Sequence, residues 1–213
     1  MTAPLPLPDY NLVRGTIRLV DPVASSASHS GAKLNMTQVV DPAWIFEAET
    51  MPLWDDERRP WTAWKNSLRG GLRMFIAHDV TRRPLAYPGA QASTDIAAGW
   101  DGTATVTDVG LSGALAMSGL PAAYQASVGD RFGIENASGS FGYYEATEDV
   151  SASGAGDMAI TLTPFLHRSL FQAGDTVRLW QPLCKFILDW QSWSEDTRGG
   201  PTPVSFTAYQ RVM

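Results

Sequence analysis

Nineteen glycines and fourteen prolines are spread along a chain of 213 residues, falling between short apolar stretches rather than in one segment. Proline lacks the backbone N–H and fixes φ, and glycine marks turns, so a chain broken this often cannot sustain many long helices. The pieces between the breaks alternate apolar and polar residues, as in "TATVTDVG" (103–110), "AITLTP" (159–164) and "VSFTAY" (204–209). Alternation puts every second side chain on one face of a strand. The predicted fold class is mainly β.

The same patterning predicts strands at 13–19, 32–40, 43–50, 103–108, 111–118, 130–136, 141–149, 157–163, 175–180, 183–190 and 203–211, with another in "LRMFIAHD" (72–79). "PLPLP" (4–8) can be neither helix nor central strand and reads as part of an extended arm over about 1–12. "ASSASHSGA" (24–32) is a polar loop, and Asp41-Pro42 signals a turn. One stretch changes period. In "DDERRPWTAWKNSLRGG" Trp61, Trp64 and Leu68 recur at helical spacing, with acids before them, Lys65 and Arg69 near the end and Gly70-Gly71 as a stop. Pro60 belongs in a first turn, so the helix is expected at about 60–69. A long loop follows at 80–101.

"VGDRFGI" (128–134) and "AGDTVRL" (173–179) open two segments in the same way. Gly supplies backbone freedom, Asp can bond the turn's backbone, and the residues that follow can enter a half-buried strand. Flanking sequences do not match, so the simplest reading is two equivalent turn-to-strand entries inside one small barrel, roughly 102–182.

Composition excludes several functions. The chain carries 16 Lys and Arg against 22 Asp and Glu, a net charge of −6, which does not attract a phosphate backbone. No direct sequence-specific binding of nucleic acid is expected, although Arg58, Arg59, Arg69, Arg73, Arg82 and Arg83 lie close in sequence. No signal peptide is evident in "MTAPLPLPDYNL", and no run approaches the about 18 apolar residues of a spanning helix, so membrane insertion is not expected. The single cysteine, Cys184 in "PLCKFIL", reads as a small buried hydrophobe.

No catalytic set assembles. His29, His78 and His167 are scattered and lack metal-ligand spacing. Nucleotide and nucleophile-elbow motifs are missing. Asp55/Asp56 and Glu195/Asp196 are acid pairs in polar stretches, where solvated charge is the simpler account. The expectation is therefore no enzyme, no catalytic residue, no cofactor and no metal. Eight tryptophans raise a different possibility, since Trp stacks on sugar rings and anchors protein interfaces. A carbohydrate-binding accessory module for host-surface glycan would expose coplanar rings, with Trp100, Tyr143, Tyr144, Trp190 and Trp193 as candidates.

The layout "PWTAWKNSLRGGLRMFIAHD" (60–79), then "RRPLAYPG" (82–89), then "GDRFGI", "ITLTPFLH" and "GDTVRL" (129–134, 160–167 and 174–179) resembles small structural proteins of the distal tail and baseplate of tailed bacteriophages. The resemblance covers about 40–190 and rests on structural rather than catalytic motifs. It implies a β-sandwich-like, ring-forming domain with a helix, built from 1–101 and 183–213, carrying an inserted small β-barrel at 102–182. It further implies a virion protein of the tail tip, assembled in the host cytoplasm, that forms a homo-oligomeric ring, expected as a hexamer. Its partners would be the tail tube protein and baseplate hub proteins, and its work would be to join tube to baseplate or receptor-binding apparatus. Contact residues expected on this reading are Leu5, Leu7, Tyr10, Tyr87, Trp100, Trp190 and Trp193.

Overall fold

A computed structural model describes residues 3–8, 11–27, 34–195 and 200–212. In chain order the elements are β1 (Leu5–Pro6), β2 (Leu12–Val20), β3 (Val23–Ala27), β4 (Leu34–Gln38), β5 (Ala43–Thr50), α1 (Asp55–Ser67) and β6 (Phe75–Ala77). There follow β7 (Thr103–Val109), β8 (Ala114–Ser118), β9 (Gln125–Ala126), β10 (Arg131–Glu135), β11 (Phe141–Ala146), β12 (Val150–Ser151), β13 (Met158–Thr163) and β14 (Thr176–Arg178). The last are β15 (Cys184–Leu188), β16 (Ser194–Glu195) and β17 (Val204–Gln210). The molecule is mainly β.

Two bodies result. One is a sheet in the order β1-β6-β15-β17-β5-β2, with β16 also on β17. The other is a closed barrel, β10-β11-β13-β8-β7-β14. Every barrel strand falls between the two sheet strands β6 and β15, which pair with each other at Cys184↔Ala77 and Phe186↔Phe75. The chain thus leaves the sheet, closes a barrel, and returns beside the strand it left.

The Gly-Asp repeat has a geometric explanation. Asp130 accepts the backbone N–H of Ser127 (2.9 Å), and Asp175 accepts that of Gln172 (2.8 Å), the same three-residue reach in both copies. Gly129 (φ 88) and Gly174 (φ 95) both take the left-handed conformation that precedes the Asp. The strands they launch, β10 and β14, are antiparallel neighbours in the barrel, with Ile134 opposite Val177. Both side chains enter the barrel core with Phe132, Leu115, Ile160 and Tyr144.

The helix is longer at its N-terminus than its spacing predicts. It begins at Asp55, where the Glu57 carboxylate accepts the Trp54 backbone N–H at 3.0 Å, and Pro60 lies inside it. The carbonyl that Pro60 leaves without a helical donor belongs to exposed Asp56, where water can serve it. Trp61, Trp64 and Leu68 face the sheet and pack with Phe46, Phe75, Phe186 and Phe206. Several strands are shorter than expected, β6 (against 72–79), β11 (against 141–149) and β14 (against 175–180) among them. Residues 111–113 and 190–192 form 3-10 turns, so β8 starts at Ala114 and β15 ends at Leu188.

The proline-rich segment is no free arm. β1 pairs in parallel with β6, Leu7 is buried in the sheet core, and Trp64 Nε1 donates to the Pro6 carbonyl at 2.8 Å. A proline strand is tolerated there because it is an edge. The loop at 80–101 is likewise pinned, with Pro84, Ala90, Ser93 and Trp100 buried and Tyr87 stacked on Tyr124 of the barrel at 5.3 Å. Where β2 would be an open edge, Val80 donates to the Gly15 carbonyl at 3.0 Å and Ile17 donates to the Asp79 carboxylate at 2.8 Å.

Gly113 (φ +86) carries a sharp constraint, since a Cβ there would lie 2.4 Å from the Leu162 carbonyl oxygen. Gly113→Ala is expected to cost about 2–4 kcal/mol, combining backbone strain with displacement of β13. Gly139 (φ +76) has no atom within 4 Å of its Cβ position, so Gly139→Ala should cost only about 1 kcal/mol. Urea unfolding of both variants checks this, and equal losses would contradict the close approach at Gly113.

Candidate functional site

The outward face of β10 and β11 is where barrel meets sheet. Period-2 alternation points Phe132, Ile134 and Tyr144 into the barrel and leaves Arg131, Gly133, Tyr143 and Glu145 on the other face. Tyr143 belongs to the sheet core instead. Its ring meets fully buried Trp44 edge-on at 5.2 Å, and Trp44 Nε1 donates to the Tyr143 carbonyl at 2.6 Å. The Arg131 guanidinium lies 4.3 Å over the Trp44 ring and forms an ion pair with Glu145, its cross-strand neighbour. Arg131 Nε and the Tyr143 hydroxyl have no hydrogen-bond partner among the described residues. Gly133 permits this packing, since a Cβ would sit 3.2 Å from the Leu183 backbone. Lys185 on β15 completes the seam by donating from Nζ to the Gly139 carbonyl.

Burial dominates the electrostatics here. It pushes the Tyr143 hydroxyl and the Cys184 thiol well above their ordinary range, and pulls Arg131 and Lys185 down. His78 is also lowered by burial, against the opposing pull of Asp79. Asp79 is buried but satisfied, accepting from Ile17 N–H, Thr81 N–H (2.9 Å) and Thr81 Oγ1 (2.6 Å). A cavity of about 210 Å³ opens beside it, lined from before the barrel by His78, Arg82, Arg83 and Gln91 and from after it by Trp180 and Gln181.

The residues expected at contacts are divided. Leu7 and Trp100 are buried in the two cores, so their side chains face inward, and Leu5 packs against the sheet core. Tyr87 is half-buried on Tyr124, and its hydroxyl accepts the Gln125 N–H. Tyr10 lies outside the described residues, as do His29 and Asp196. Trp193 is half-buried and stacked on Phe206 (5.5 Å, 15°), while Trp190 is 39% exposed. Lys65 Nζ stands over both rings, 4.8 Å from Trp190 and 4.9 Å from Trp193. Of the five aromatics considered for sugar stacking, Trp100, Tyr143 and Tyr144 are buried and the other two share this cation.

The sequence reading missed a different surface. β3 and β4 form a separate two-stranded ribbon that extends the β2–β5 hairpin past Asp21-Pro22 and Asp41-Pro42. Pro22 and Pro42, one on each strand, have no N–H to give the ladder where the β2–β5 pairing ends and the β3–β4 pairing begins, which separates ribbon from sheet. Every described side chain from Asp21 to Ser26 and from Met36 to Asp41 is exposed, including Val23, Met36, Val39 and Val40. At its base lies a cavity of about 390 Å³ shared with the barrel residues Leu162 and Phe165. The paired Asp-Pro steps were the signal available in the sequence.

Among the described residues no group of three His, Cys, Asp or Glu side chains could hold a metal ion, and no helix is long and apolar enough to cross a membrane. No protein-family model matches the chain, and no curated protein matches it.

Two outcomes are expected. Glu145→Gln strands the buried Arg131 charge and should cost about 1–3 kcal/mol, the lower part of the buried-pair range because Glu145 is itself 31% exposed. Arg131→Met together with Glu145→Gln should recover most of that loss, and a double-mutant cycle by urea unfolding measures it. The second concerns pH. Tyr143 keeps its proton in the fold to higher pH than in the unfolded chain, where tyrosine titrates near about 10. Its contribution is complete below that pH and is lost above it, by about 1.4 kcal/mol per pH unit. Tyr143→Phe should leave stability at pH 7 nearly unchanged, because the hydroxyl is unpartnered, and should flatten the alkaline slope by about that amount.

Proposed function

We propose that this chain is a structural subunit of a phage tail tip, a ring-forming adaptor that joins the tail tube to the baseplate or receptor-binding apparatus. The observation that carries an assembly role is the β3–β4 ribbon. A two-stranded ribbon exposed on both faces is marginal in water and gains stability by packing on something else. Here it presents Val23, Met36, Val39 and Val40, with little charge to keep a partner away. The tail-tip assignment rests on the resemblance of 60–79, 82–89 and the two Gly-Asp strand entries, and the site of action is then the virion tail.

The adaptor reading suits a body whose two parts are welded through Trp44, Tyr143 and Arg131, since a ring subunit transmits position rather than chemistry. Exposed Leu72, Leu85, Leu111 and Phe165 supply further apolar contact area. Light scattering of the purified protein across a concentration series, with electron microscopy of the same samples, tests the proposal. Closed rings, or assembly toward them with rising concentration, are the expected result. Met36→Asp with Val39→Asp, both exposed and therefore neutral to folding, should shift the population to monomer. A wild-type chain that stays strictly monomeric throughout would overturn self-assembly as its function.

A further inference from the structure

The cavity of about 210 Å³ at the seam is chemically unlike the rest of the surface. The chain as a whole is acidic, at −6, yet this concavity gathers Arg82 and Arg83 with two carboxamides, Gln91 and Gln181, and the side of Trp180. Arg83 Nη1 donates to the Ala90 carbonyl at 3.1 Å, and neither Arg82 nor Arg83 has an ion pair among the described residues. The one carboxylate on the wall, Asp79, has its oxygens taken by Ile17 and Thr81, so it does not reach across to either guanidinium. A smaller cavity of about 20 Å³ shares Arg82, Arg83, Pro84 and Gln181, and there Arg131 joins the lining. The Arg131 side chain is 6% exposed, and its Nε lacks a partner. Asp130 also lines that smaller space, with its oxygens held by Leu85 and Ser127 N–H groups.

We propose that this cavity is a binding site for a small oxyanion, a phosphate- or carboxylate-headed ligand held by Arg82 and Arg83, with the Gln91 and Gln181 amides as neutral donors and Trp180 as the wall. Guanidinium forks match the two-oxygen edge of such groups, and both are uncommitted to an acid. The volume suits a compact anion rather than a drug-sized molecule. Because the donors come from both sides of the barrel insertion, 82–91 before it and 181 after it, an occupant ties the exit of the chain to its return. The proposal is independent of the assembly role.

The test uses the full chain, with inorganic phosphate and citrate as probes against sodium chloride at matched ionic strength. The expected result is saturable heat on titration calorimetry and a rise in Tm of roughly 3 °C at tenfold excess over Kd for either probe. Arg82→Gln with Arg83→Gln should abolish both signals while leaving the far-UV circular dichroism unchanged and lowering the anion-free Tm by only about 1–3 °C, the loss of the Arg83 bond to the Ala90 carbonyl. Arg59→Gln on α1 should bind as the wild type does. No saturable binding of either anion, or an equal Tm rise in wild type and the double variant, would overturn the proposal.

Discussion

Everything in this molecule hangs on the contact of Trp44 with Tyr143. A closed barrel and a sheet joined only by two strands of chain would swing relative to each other, because short linkers constrain distance better than orientation. Here a residue from the outward face of a barrel strand is delivered into the sheet's own core, where an indole meets it edge-on and donates to its backbone carbonyl. Arg131 lies over the face of that indole, next to the Tyr143 ring, and Glu145 neutralises it across the strand pair. The arrangement is costly in principle, since a guanidinium and a phenol are taken out of water. It specifies one relative placement of the two bodies, because an aromatic face, a charge and a hydrogen bond are satisfied together only in one geometry.

From that placement follow the features that face outward. The loop at 80–101 is trapped between barrel and sheet, so its arginines stand at the seam rather than in solvent at large, and Trp180 and Gln181 close the space from the other side. The sheet's β2 edge is capped by residues 79 and 80 through Asp79 and Val80, which removes one site of unwanted pairing. The described side chains of the β3–β4 ribbon are left exposed, and the two Asp-Pro steps set the ribbon apart from the sheet it continues.

Much of the secondary structure was legible. Strands such as 43–50 and 204–210 follow from alternation, and the helix follows from Trp61, Trp64 and Leu68 with its acidic start. The helix starts five residues before Pro60, because a proline there orphans only the carbonyl of exposed Asp56, which water can serve. Among contact residues, Leu7 and Trp100 carried no mark in the sequence of being core. An apolar residue in an irregular segment looks the same whether it lies under the protein or upon it.

The sequence by itself determined the local events: where strands run, where turns fall, and that two Gly-Asp entries launch equivalent strands, because φ preference, side-chain-to-backbone bonds and period-2 alternation act within a few residues. Tertiary structure alone decided that those two strands are neighbours, that Arg131 is buried against Trp44, and that Arg82, Arg83 and Gln181 share one cavity. Such partners are set by barrel closure and strand register over separations of about forty to a hundred residues, where no local preference reaches.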